Sequence, residues 1–392
     1  MAKHRYAGNT AIVGIGATEF SKESGRSELQ LALEAAAAAI ADAGLKPEQV
    51  NGMTTFTMET NPENEVMRGL GIPELTFFSR IGFGGGAPCA TIQQAAMAVD
   101  SGIADYVLCY RAFNERSGRR FGAGVQDRPA GVTADEAQFA WTSPFGLLTP
   151  ASWVAMFATR MMHEYGITSE DFGRVAVADR KHAATNPAAF FFEQPITLEE
   201  HQASRYIAEP LRLLDCCQES DGGQAFIVTT LERARDLPST PVIIEAAAQG
   251  MADEQQMMRS YFRESLVGLP EMGTCARQIW ETSGLSASDV QTAVIYDHFT
   301  PFVLPQLEEF GFCGRGEAKD FIRDGAIELG GKLPINTHGG QLGEAYIHGM
   351  NGIAEGVRQV RKQSVNQVDN VEHVLVTGGT GVPTSALLLG KA

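Results

Sequence analysis

Short runs of aliphatic and β-branched residues alternate along the chain with alanine-rich stretches of helical period. Ala11-Ile12-Val13-Gly14-Ile15 reads as a strand, Leu29 to Ala43 as a helix and Tyr106-Val107-Leu108-Cys109 as another strand. That alternation predicts an α/β fold. The pattern also echoes itself: Ala43-Gly44-Leu45-Lys46-Pro47-Glu48-Gln49-Val50 is matched by Ser283-Gly284-Leu285-Ser286-Ala287-Ser288-Asp289-Val290. Each copy ends a helix on a glycine suited to a left-handed C-cap, then opens a β run, at Met53 to Met58 and at Thr292 to Phe299. A glycine loop follows in each (Gly84-Gly85-Gly86 and Gly339-Gly340). Then come a small-residue helix (Thr91 to Ser101 and Ile347 to Lys362) and a strand (Ala104 to Tyr110 and Glu372 to Thr377). Further strands are predicted over Phe77 to Ile81 and Ser385 to Leu389.

Two similar halves are the natural reading. The first spans 1–240 and includes an insertion at about 113–221, too long for a simple connection and carrying aromatic patches such as Phe190-Phe191-Phe192; it reads as a cap over the site. The second half spans 241–392.

At 392 residues and 44% apolar, the chain can bury a large core. Acidic residues number 47 against 31 Lys plus Arg, a net charge of −16, which argues against a nucleic-acid or anionic-membrane partner. The apolar run Leu31 to Leu45 is broken by Glu34 and Asp42, and the first residues lack an apolar signal core, so the expectation is a soluble cytoplasmic protein. The six cysteines form no C-x-x-C pair, and the histidines show no metal-binding spacing; neither a disulfide framework nor a metal is expected. Gly14-x-Gly16 lacks the third glycine and the later acidic residue of a dinucleotide site.

The duplicated core, the phrase Ala41-Asp42-Ala43-Gly44-Leu45 with Pro47, Val50 and Gly52, and the late segment Gly339-Gly340 to Gly352 together resemble the thiolase superfamily. The likeness covers nearly the whole chain and is greatest for the sterol-carrier-protein thiolase branch. Where that branch reads His-Asp-Cys-Phe this chain has Tyr296-Asp297-His298-Phe299, and where it reads Gly-His-Pro-x-Gly-Ala-x-Gly this chain has Ala345-Tyr346-Ile347-His348-Gly349-Met350-Asn351-Gly352. The resemblance implies two βαβαβ-type halves in a five-layered α-β-α-β-α arrangement. It also exposes three departures: the nucleophilic cysteine falls on Gly85, its activating histidine on Tyr346 and the second cysteine on Thr377. Cys89 is four residues past the slot, about one helical turn, and reads as a buried core residue.

A chain without those groups cannot transfer acyl groups by the parent route, yet it can bind an acyl-CoA and stabilise a thioester enolate. The pattern is similar to the steroid side-chain-cleaving aldolases of steroid and cholesterol breakdown, which cut a 17-hydroxysteroid acyl-CoA into a 17-ketosteroid and propionyl-CoA. That likeness implies Tyr296 and Tyr346 as catalytic residues and an OB-fold partner around a homodimer core of a heterotetramer. It implies no cofactor beyond the coenzyme A carried by the substrate. If the segment is extended, Tyr296 and His298 share a face, so His298 is expected to tune Tyr296 while Asp297 anchors the loop. Gly85 is expected to open space for the bulky alcohol, and Gly379, in Thr377-Gly378-Gly379-Thr380-Gly381, to offer an amide to the reacting carbonyl. His338 and His348 read as structural. A thiolase-like acyltransferase using Cys89 and a non-catalytic acyl-CoA or lipid binder are the alternatives.

Overall fold

The computed structural model describes residues 4–82, 84–118, 120, 139–256, 258, 260–379 and 384–392. The first run is β1 (Thr10–Ala17), α1 (Glu28–Asp42), β2 (Gly52–Phe56), α2 (Glu63–Leu70), β3 (Phe77–Ile81), α3 (Pro88–Asp100) and β4 (Tyr106–Asn114). The insertion carries α4 (Pro150–Tyr165), α5 (Ser169–Thr185) and a ribbon of β5 (Tyr206–Ala208) with β6 (Leu211–Arg212). Its residues 119 and 121–138 lie outside the described residues. After β7 (Asp221–Thr230) come β8 (Val242–Gly250), α6 (Pro270–Ser283), β9 (Thr292–Val294), α7 (Met350–Arg361), β10 (His373–Thr377) and β11 (Thr384–Lys391).

The strands join in the order β3-β2-β4-β7-β1-β8-β11-β10-β9. β2 lies parallel to β3 and β4, while β4, β7 and β1 pair antiparallel. The second half repeats this: β9 is parallel to β10, and β10, β11 and β8 pair antiparallel. A parallel bridge from Ala293 to Ile335 stands where β3 stands in the first half. The strand pairs Ala11↔Ile243 and Ile12↔Val242, between β1 and β8, join the sheets of the two halves.

Side-chain alternation sorts these strands into layers. On β7, Ala225 and Ile227 face α1, whereas Phe226 and Val228 face the apolar cluster that contains α3 and α7. On β11, Leu387 and Leu389 share that central cluster, while Ala386 and Leu388 turn to the outer one with α6, α4 and α5. Helix, sheet, paired central helices, sheet and helix therefore stack in the five layers expected. Gly14 and Gly16 belong to this packing: a Cβ on either would lie 2.2 Å or 2.3 Å from a carbonyl oxygen of α1, so the glycines let the helix press onto β1. Gly44 and Gly284 close α1 and α6 at φ +71° and +76°, and each is followed by a 3₁₀ turn, so the echo is structural.

Element ends shift by a few residues throughout, and two of the shifts bear on the site. The strand predicted through Phe299 ends at Val294, because the next amides turn to side chains: Ile295 donates to Asn336 Oδ1 (2.9 Å) and Tyr296 to Thr377 Oγ1 (2.9 Å). The central helix starts at Pro88 rather than Thr91, since proline pre-sets φ for a first helical turn.

Candidate active site

Tyr296 and Tyr346 come from separate loops and meet with their hydroxyl oxygens 3.3 Å apart. The Tyr296 backbone is locked into a ring of three hydrogen bonds. Its N–H donates to Thr377 Oγ1, that hydroxyl donates to Gln306 Oε1 (2.6 Å), and Gln306 Nε2 donates to the Tyr296 carbonyl (2.8 Å). Thr377, at the slot of the second thiolase cysteine, is thus a buried scaffold residue. Tyr346 is held by its N–H, which donates to Ser220 Oγ at 3.1 Å. Tyr296 is 2% exposed, and Tyr346 keeps part of its surface accessible. Burial pushes both phenols well above their ordinary range.

The ring of Tyr296 lies in a slot lined by glycines. A Cβ at Gly85 would fall 2.0 Å from the Tyr296 hydroxyl oxygen, one at Gly379 2.6 Å from Cε1 and one at Gly349 2.7 Å from Cε2. The space at Gly85 is therefore taken by a phenol rather than left for the substrate alcohol. Gly379 differs from expectation too: its N–H already donates to the Gly85 carbonyl at 2.6 Å. Thr380 and Gly381 of the same run lie outside the described residues.

His298 packs beside Tyr296, ring centroids 4.8 Å apart, and stacks on Phe302 at 5.0 Å. Burial pushes it down to about 3, and its Nδ1 has no hydrogen bond. A neutral imidazole shapes the pocket but brings no positive charge to draw a proton from Tyr296. Asp297 faces the other way, accepting from Gln341 N (2.8 Å) and Leu342 N (3.0 Å), which ties the Tyr296 loop to the second glycine segment.

Cys89, despite lying in the first turn of α3, points into the core. Its thiol is fully buried, contacts the Val376 carbonyl at 3.6 Å, and is pushed upward by burial. An inert structural thiol results. His338 is buried, with neither ring nitrogen hydrogen-bonded. His348 accepts at Nδ1 from Arg111 Nε (3.1 Å), which fixes its remaining proton on Nε2, beside Gly84. Its ring meets Tyr346 edge-on at 5.1 Å, and Arg111 is itself paired with buried Glu59 at 3.0 Å. Arg111, Gln306, Ser220 and Cys217 all reach this neighbourhood without being singled out in the sequence; no motif marks them, because segments far apart along the chain bring them in. Among the described residues no group of three or more His, Cys, Asp or Glu could hold a metal ion, and no helix is long and apolar enough to cross a membrane.

Family models for the thiolase N-terminal domain and for a thiolase C-terminal domain-like region match residues 10–232 and 252–391. The chain is 67% identical over 383 residues to a steroid side-chain-cleaving aldolase of Thermomonospora curvata, covering 98% of each. It is 67% identical over 387 residues to the 17-hydroxy-3-oxo-4-pregnene-20-carboxyl-CoA lyase of Mycobacterium tuberculosis, covering 98% of this chain and 100% of that one. The solved structure of an Ltp2-ChsH2(DUF35) aldolase superposes with a TM-score of 0.94 at 66% identity, over 98% of both chains. Human mitochondrial 3-ketoacyl-CoA thiolase shares the fold, with a TM-score of 0.70 at 16% identity over 98% of both chains.

Proposed function

This chain belongs to the thiolase family, and from that premise we infer that it is an aldolase: a carbon–carbon lyase that cleaves a 17-hydroxysteroid acyl-CoA into a 17-ketosteroid and propionyl-CoA. The observation that carries this reading is the phenol of Tyr296 filling the place of the nucleophilic thiol, 3.3 Å from the phenol of Tyr346. A site built this way handles protons, and the slot of the nucleophile holds no group to carry an acyl chain.

The cleavage balances as a proton circuit. Tyr346 accepts the alcohol proton while passing its own to Tyr296, the bond between the carbinol carbon and the carbon next to the thioester breaks, and its electron pair forms the enolate. As it receives that proton, Tyr296 gives its own to that carbon, so each phenol ends with one proton and neither carries a charge. Because burial disfavours a free phenolate, handing protons along the pair avoids an isolated one. At 3.3 Å the hydroxyl contact is longer than an ordinary O–H···O bond and is expected to tighten around substrate. Asp297 and His298 support the Tyr296 loop, and Gly85 and Gly379 contribute the slot for its ring.

The related structure is named for a second component, DUF35. This supports a partner protein, for which the OB-fold domain is the part that the resemblance implies, around a homodimer core of a heterotetramer. The same reading makes 1–240 and 241–392 the two halves. It needs no cofactor beyond the substrate's coenzyme A and sets the enzyme in the cytoplasm, in cholesterol breakdown. The test is incubation with 17-hydroxy-3-oxo-4-pregnene-20-carboxyl-CoA, with and without a DUF35 partner, followed by mass spectrometry. The expected products are the 17-ketosteroid and propionyl-CoA. Acyl exchange with free coenzyme A, an acyl group on any cysteine, or intact substrate in the presence of partner would overturn the reading.

A further inference from the structure

His348 lies two residues beyond Tyr346, and the proton circuit gives it no task. Its backbone is left-handed at φ +50°, and Gly349 repeats that conformation at φ +83° before α7 begins. Histidine is among the few side chains that take this region with some ease. The double turn places the His348 ring in a buried pocket, where it stacks on Phe113 with centroids 5.0 Å apart and tilts against Phe56 at 6.0 Å. Ser220 holds the Tyr346 backbone but not its ring, and that ring keeps part of its surface accessible. The angle of the phenol therefore depends on what packs against it.

What packs against it is held by a polar lock. Buried Glu59 accepts main-chain N–H groups from Ala112 (2.9 Å) and Asn61 (3.0 Å) and pairs with Arg111 Nη1 at 3.0 Å. Arg111, whose guanidinium lies 4.2 Å from the Phe113 centroid, donates from Nε to His348 Nδ1 at 3.1 Å. A guanidinium only donates, so Nδ1 must be the bare nitrogen, and burial together with the Arg111 charge keeps the imidazole neutral. One tautomer and one ring orientation satisfy the lock. In that orientation the imidazole meets the Tyr346 ring at 5.1 Å with an angle of 77° between the planes. Its Nε2 lies against Gly84, where a Cβ would sit 2.8 Å away, and the next residue is Gly85 of the Tyr296 slot. A single fixed ring thus touches Tyr346 and the loop that borders Tyr296.

We propose that His348 is a positioning residue for the cleavage: anchored through Arg111 to Glu59, its ring braces the Tyr346 phenol at the angle from which the hydroxyl meets that of Tyr296. The proposal rests on the aldolase reading. It adds a residue that acts through Tyr346 alone and exchanges no proton with substrate.

The experiment measures kcat and KM for wild type, His348→Asn, Tyr346→Phe and the double variant, with the DUF35 partner present. Asparagine takes φ near +50° readily, and its side-chain oxygen can replace Nδ1 as the acceptor for Arg111, so the lock stays and only the bracing ring is lost. His348→Asn should lower kcat by about one to two decades with KM within about twofold of wild type. In the Tyr346→Phe background the same substitution should cost nothing further, because no hydroxyl is left to aim. A kcat within about twofold of wild type in His348→Asn overturns the proposal, as does a raised KM at unchanged kcat. So does a double variant that falls below Tyr346→Phe by the full factor of the single change, which would make His348 act independently of Tyr346. Should His348→Asn not fold, His348→Gly, unstrained at this φ, enters the same cycle and the same outcomes decide. Wild type that cleaves while the cycle fails removes the His348 role alone; wild type that cleaves nothing removes the aldolase reading itself.

Discussion

Tyr296 occupies a slot that only glycine can line. Gly85→Ala would set a methyl group 2.0 Å from the phenol oxygen, so the ring must swing away from Tyr346. A displacement of that size should cost about two decades in kcat while the folded variant still binds acyl-CoA. Gly85→Cys should fare no better and should not create a thiolase; full turnover in Gly85→Ala would show that the phenol is not needed where it stands. Tyr296→Phe and Tyr346→Phe keep the rings and remove the hydroxyls, so each should lose about two to four decades in rate, with the double variant little worse than the poorer single one. Near wild-type rates in both would refute the proton circuit. Both tyrosines were legible because they stand at slots that carry chemistry in the family. The use of Gly85, Gly349 and Gly379 was not, because it follows from three distant segments closing on one ring. Cys217 can make the site sensitive to thiol reagents although the proton circuit uses no cysteine. Partly exposed, with its N–H donating to the carbonyl of His298 (2.9 Å), the residue that packs against Tyr296, its thiol is pushed upward and should be alkylated at alkaline rather than neutral pH. Maleimide-treated wild type should then lose turnover, whereas Cys217→Ser should stay active and resist the reagent; a fully labelled, fully active wild type would place Cys217 away from the substrate.

At the scale of elements, the long periodic helices and the strands ending in glycine loops read correctly from the chain. The ends at the site did not, because side chains replace the ladder there: Asn336 and Thr377 take the amides of Ile295 and Tyr296. No local propensity signals a bond formed across such separations. α5 shows the same device with a measurable consequence. His182 near its C-terminus accepts at Nε2 from Leu329 N (3.0 Å) and faces the Asn336 carbonyl with Nδ1 (3.3 Å), which anchors the stretch that carries Asn336. Burial pushes His182 down to about 4, below the roughly 6.5 of an unfolded histidine. Above pH 6.5 neither state binds the proton. As pH falls from 6.5 towards 4 the unfolded chain takes it up first, so this contribution to stability is present at high pH and lost in that window. Relative to His182→Gln, the wild type should lose up to about 1.4 kcal/mol per pH unit there, read from urea unfolding at pH 5 and 7. Parallel pH slopes for the two proteins would rule it out.

For the whole molecule, the internal echo was the most informative signal in the sequence, since each copy specifies helix, left-handed cap, 3₁₀ turn and strand, and two copies imply two sheets around paired central helices. What pattern alone could not supply is how the halves join, because two residue pairs between β1 and β8 make one continuous sheet. The other end of that sheet bears on assembly. β3 is its edge, with β2 on one side only, and Phe78 is 66% exposed on it. An open edge carrying an exposed aromatic side chain invites pairing with a second strand, and the same edge of a second copy provides one. The wild type should therefore scatter light as a dimer at micromolar concentration, and Phe78→Lys should shift it towards monomer by placing like charges opposite each other across the two-fold axis. Gly85 follows β3 by a short loop whose carbonyl anchors Gly379. Loosening the edge should therefore also lower kcat, while substitution of Phe145, which is still more exposed but lies in the insertion, leaves the mass unchanged. A wild type that stays monomeric with its partner present, or a Phe78→Lys variant that stays dimeric, would place the subunit contact somewhere other than β3.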